Sequence, residues 1–209
     1  MSLMELLARA DARGLAMSGL ACLDRCLPSP EPGEPEPLRT LRAGCADPAE
    51  RADGVAWAGG ADWGARLDGA HAALAAAAGA DDAAARVRAL LADAPRDLAE
   101  GPLRGWADAC SLLALDIHRE YDAPGAAEAY ERCRAEDGVG CGPLVTGELR
   151  RQAEILEILA ESAGTAGTPG AGTGARRVAD LTTEGRRVLR AVMSRRARGR
   201  ARSGDLSPG

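Results

Sequence analysis

Apolar residues recur at intervals of three and four along most of the chain, the period of a helix with one buried face. Leu3, Leu6, Leu7, Ala10, Met17 and Ala21 share one stripe of a first helix that runs to Leu27, with Gly14 on the same stripe weakening it. The run PSPEPGEPEP, residues 28–37, alternates proline with acid, so it reads as an extended, solvated loop. Asp47 with Pro48 supplies a cap and a first-turn proline for a short helix. From Asp62 to Ala78 the face is Trp63, Leu67, Ala70, Leu74 and Ala77, and Asp81 or Asp82 caps a helix carrying Val87, Leu90 and Leu91.

The pattern predicts the central helix over Pro102–Tyr121. Leu103, Trp106, Cys110, Leu113, Ile117 and Tyr121 make one stripe, while Leu112 and Leu115 fall opposite, so its middle requires neighbours on several sides. Asp122 with Pro124 starts the next helix, whose face is Ala126, Ala129, Tyr130 and Cys133. GVGCG breaks the chain, and Pro143 opens a helix with Val145, Leu149, Gln152, Leu156 and Leu159. No stretch alternates apolar and polar residues with β-branched enrichment. The expected fold is therefore an all-α bundle of five to seven helices over residues 1–162, followed by a flexible linker at 163–175. A C-terminal basic helix and disordered tail complete it over 176–209.

The linker reading faces one competitor. GTAGTPGAGTGARR, Gly164–Arg177, looks like a phosphate-binding loop, but Thr173 stands where the lysine of such a loop belongs and the chain has no lysine at all. Gly170, Gly172 and Ala175 meet the looser dinucleotide pattern, yet a helical segment precedes them instead of a strand. A Gly/Thr/Ala/Pro run has little to bury and much backbone entropy to lose, which favours a flexible coil.

Charge sharpens this division. The overall formal charge is −5, but residues 1–175 carry −12 and residues 176–202 carry +8. Ten arginines make the basic segment: Arg176, Arg177, Arg186, Arg187, Arg190, Arg195, Arg196, Arg198, Arg200 and Arg202. They are candidate contacts to an anionic partner, nucleic acid or an acidic protein surface. Leu181, Val188, Val192 and Met193 lie to one side of this segment, making it amphipathic. LTTEGRRVLRAVMSRRARGR also resembles the first helix of helix-turn-helix domains of the LuxR type, through the L-T at Leu181–Thr182 and the V-L at Val188–Leu189. The nine residues after it are too few for a recognition helix, so phosphate contact without sequence reading is what the segment implies.

Candidate chemistry elsewhere is sparse. Cys22 and Cys26 stand one helical turn apart, with Cys45 and His71 as conceivable partners for zinc, or else they pack as small hydrophobes. Cys110 and Cys133 fall on apolar faces, and Cys141 sits in a glycine-rich turn as an exposed thiol. His118, flanked by Asp116 and Glu120, is the one imaginable catalytic base. No spaced hydrolase, metalloprotease or nucleophile motif is present. The first residues lack the charged start of a secretory signal, and no apolar run reaches membrane-spanning length, so the cytoplasm and six reduced thiols are expected. No catalytic residue, metal or cofactor is assigned, and a non-enzymatic interaction or regulatory protein is the expected class. A small helical enzyme or a metal- or thiol-dependent sensor using Cys22, Cys26 or His118 is the alternative.

Overall fold

The computed structural model of the chain describes residues 1–28, 36–46, 60–76, 82–122, 133–134, 140–164 and 172–204. The helices predicted at Asp47–Pro48 and after Asp122 lie outside these residues. Eight helices and no strand are present among the described residues, an all-α bundle. They are α1 (Leu3–Arg9), α2 (Ala12–Cys26), α3 (Arg39–Ala46), α4 (Gly60–Ala76), α5 (Asp82–Ala92), α6 (Glu100–Glu120), α7 (Pro143–Gly164) and α8 (Gly172–Gly204).

The expected first helix is two. Ala10 adopts an extended backbone, and the Asp11 carboxylate accepts a 2.7 Å hydrogen bond from the Gly14 amide, capping α2. A capping box between Ser2 and Glu5 closes the start of α1. The break frees α2 from the direction of α1, and α2 becomes the centre of the molecule in place of the 100–120 helix. Every residue from Gly14 to Cys26 is buried. Around α2 stand α6, α7 and α8, with α3 and α5 completing the shell.

α6 is the principal neighbour of α2. Gly19 on α2 lets the helices meet closely: a methyl group there would lie 2.6 Å from the Trp106 ring. Trp106 donates its indole N–H to the Leu90 carbonyl at 2.9 Å, and Trp63 donates to the Pro95 carbonyl at 2.7 Å, fixing α4 and α5 to the bundle. Leu103, Trp106, Cys110 and Ile117 are buried as their spacing predicts, and so is Leu115 from the opposite side. Leu113 is only half-buried and Leu112 is exposed, because the second covered side of α6 runs through Ala114, Leu115 and His118.

Gly140 has φ +86°, a left-handed conformation that glycine adopts without strain. Just beyond it Cys141 forms a disulfide with Cys133, the two Cα atoms 6.3 Å apart. This corrects the expectation of six reduced cysteines and of an exposed thiol at Cys141. The sequence puts Cys141 in a turn, but not that the turn returns it to Cys133. The remaining four, Cys22, Cys26, Cys45 and Cys110, are free and buried.

α7 extends to Gly164 and α8 begins at Gly172, so helix takes in both edges of the expected linker, and residues 165–171 lie outside the described residues. α8 packs along α2 and α7. None of the described helices is long and apolar enough to cross a membrane.

Candidate functional site

Two polar layers join α8 to the centre. The inner one forms where α2, α6 and α7 converge. Arg25 on α2 and Glu148 on α7 are both fully buried and form an ion pair at 2.5 Å, with Arg25 Nε also donating to the carboxylate at 3.0 Å. Gln152, one turn along α7, donates to Glu148 at 2.9 Å, and its carbonyl accepts from the Ser111 hydroxyl at 2.6 Å. Burial alone would push the Glu148 carboxyl up, but Arg25, then His118 and the hydrogen bonds, bring it down to about 2.

His118 completes this layer. Its Nδ1 lies 2.7 Å from the Ala114 carbonyl, which only accepts, so Nδ1 carries the proton. Nε2 faces Glu148 at 3.5 Å without a hydrogen bond. Burial lowers the imidazole pKa against the opposing pull of Glu148, keeping the ring neutral. The side chain is completely covered, so the imagined catalytic base has no route to a substrate. Cys22 and Cys26 are likewise buried, and desolvation pushes Cys22 up to about 12 and Cys26 well above its usual range. Both are packed thiols, and among the described residues no three His, Cys, Asp or Glu side chains gather as a metal-holding group.

The outer layer ties α8 down. Arg186 is buried, donates to the Asp24 carbonyl at 3.1 Å and pairs with the Asp24 carboxylate at 2.5 Å and Glu36 at 3.3 Å. Arg42 on α3 pairs with the same two acids, at 2.7 Å from Asp24. Two cations and two anions thus close a neutral quartet over the end of α2. Gly185 permits this docking, since a methyl group there would run into the Arg25 side chain and stand 3.2 Å from Arg151.

The ten arginines therefore separate. Arg186 belongs to the quartet, and Arg177 lies 3.6 Å from Glu161. Arg196 donates to the Glu120 and Asp122 carbonyls at 2.9 and 2.7 Å and covers the Tyr121 ring, 5.8 Å from its centroid. Arg176, Arg187, Arg190, Arg195 and Arg198 are exposed and form no ion pair among the described residues. At the helical repeat these five fall within a sector of about 140°. Arg200 and Arg202 continue the helix, with side chains outside the described residues.

Sequence reasoning missed the polar layers. A signal was present: Asp24 and Arg25 sit inside GLACLDRCL, where apolar residues surround the helix and leave charges no solvated side. The chain matches no protein family model, no curated protein and no solved structure.

Proposed function

We propose that this chain acts by interaction, presenting the exposed arginine face of α8 to the phosphate backbone of nucleic acid. The supporting observation is the contrast in arginine pairing. In the bundle most described arginines, among them Arg25, Arg42, Arg66, Arg86, Arg96, Arg119 and Arg134, are engaged with carboxylates. Those that are not, such as Arg39, Arg88 and Arg150, are scattered over separate helices. On α8, Arg187, Arg190, Arg195 and Arg198 face outward without such partners. They span about 17 Å along the helix. Guanidinium groups suit phosphate oxygens, and this exposed stripe carries no aromatic residue to stack on bases, so the contact is electrostatic and indifferent to sequence.

We take the cytoplasm as its compartment, on the four free buried thiols. The Cys133–Cys141 disulfide weighs against that compartment, because such bonds are rare in a reducing pool. His118, Cys22 and Cys26, on which the enzyme and sensor alternatives rested, are buried.

The test replaces Arg187, Arg190, Arg195 and Arg198 together by Gln and follows duplex DNA binding by fluorescence anisotropy across a salt series. The full chain should bind with a log–log salt slope of about −3 to −4, and the variant should lose most of both affinity and slope. Equal binding by the two proteins, or binding insensitive to salt, overturns the reading. Substitution is preferable to removal of α8, because Val178, Thr182 and Leu189 are part of the buried surface.

A further inference from the structure

A cavity of about 400 Å³ opens between the end of α2, the end of α6 and the middle of α8. Its wall holds Arg25, Arg186, Arg190 and Arg196, together with the apolar surfaces of Leu27, Tyr121, Leu189 and Met193. The described residues lining it include no carboxylate. Two of the four cations are already neutralised, Arg25 by Glu148 and Arg186 by Asp24 and Glu36. The other two are not: Arg196 reaches only carbonyl oxygens and the Tyr121 ring, and Arg190 forms no ion pair among the described residues.

Among the described residues the cavity thus has two uncompensated guanidinium charges beside an apolar wall. Arg25 spends Nε and Nη2 on Glu148 and Cys22 and is fully buried, so the two charges that a ligand can reach are those of Arg190 and Arg196. Two positive charges are balanced by a dianion, and forked guanidinium donors match phosphate oxygens. The volume falls in the range of small-molecule sites.

We propose that this cavity is a binding site for a small phosphate monoester carrying an apolar group. Arg190 and Arg196 take the phosphate, and the apolar group lies against Leu27, Leu189 and Met193. This site is separate from the outward stripe that would meet nucleic acid, sharing only Arg190 with it.

Phenyl phosphate is a suitable probe, titrated into the full chain by calorimetry at 0.15 M salt beside inorganic phosphate and phenol. One saturable site should appear, binding phenyl phosphate about tenfold more tightly than either fragment. Arg190→Ala and Arg196→Ala should each weaken it about tenfold, while Arg187→Ala and Arg198→Ala leave it within about twofold. Met193→Glu, which puts a carboxylate and bulk into the opening without touching Arg196, should abolish binding. Failure to saturate at about 10 mM, or equal affinity in the Arg190 and Arg196 variants, overturns the proposal. So does a tenfold gain on replacing Glu31 and Glu34 by Gln, which would assign the cavity to the chain's own acidic loop. An unsubstituted chain that binds phenyl phosphate but not DNA would overturn the nucleic-acid reading and leave this site standing.

Discussion

Glu148 carries much of the electrostatic order at the centre. It neutralises Arg25, faces His118 and holds Gln152, all without solvent. Glu148→Gln leaves Arg25 charged and unmatched in a dry site and should cost about 3 to 5 kcal/mol in urea unfolding, whereas Arg25→Met with Glu148→Leu should recover much of that loss. The pH dependence follows from the same group. Its carboxyl titrates at about 2 when folded against an ordinary 4.5, so its stabilisation is complete above 4.5 and lost as pH falls toward 2. The total is on the order of 3 kcal/mol. His118, depressed by burial from 6.5, adds a loss that begins below 6.5. A urea midpoint that stays level from pH 6.5 to 3, or a Glu148→Gln variant with an unchanged acid slope, would contradict this account. The burial of Arg25 was legible in GLACLDRCL, but its partner was not, since Glu148 stands 123 positions away and reads alone as a solvated charge.

At the level of elements, periodicity located most helices but chose the wrong face in one of them. On α8 the apolar pattern selects Leu181, Val188, Val192 and Met193, yet these are only partly covered. The buried line is Gly174, Val178, Thr182, Gly185, Arg186 and Leu189. Thr182 fits because its hydroxyl donates to the Val178 carbonyl at 2.7 Å, and Arg186 fits because two acids await it. A hydrophobicity pattern has no means of crediting partners on other helices. The close approach at Gly185 is testable: Gly185→Ala should destabilise by about 1 to 3 kcal/mol despite alanine's better helix propensity, because the methyl group displaces Arg25 and Arg151. A gain in stability would mean that α8 stands off from α2. The split between α1 and α2 was more accessible to reasoning, because Asp11 three residues before Gly14 is a cap position that the long apolar stripe obscured.

For the whole molecule, the acidic body and the basic helix are one packed unit among the described residues, although charge alone divides them at the linker. The all-α class was legible because the 3.6-residue period runs nearly throughout. The docking of α8 was not, because it depends on a quartet assembled from α2, Glu36, α3 and α8. A chain stopped at Gly164 should therefore keep helical circular dichroism but melt broadly and bind a hydrophobic dye, having lost the cover over α2 and one of the two counter-charges of Asp24. A sharp transition at the full chain's temperature would show that the body stands alone. The two polar layers also set a timetable for the nascent polypeptide. Arg25 leaves the ribosome 123 residues ahead of Glu148, and Asp24 leaves 162 ahead of Arg186. At ordinary rates of synthesis the first wait alone is roughly 6 to 25 s. For that interval α3, α5 and α6 emerge and Arg42 can meet Asp24, but Arg25 has no counter-charge until α7 follows, which makes α2 the segment on which a chaperone would act.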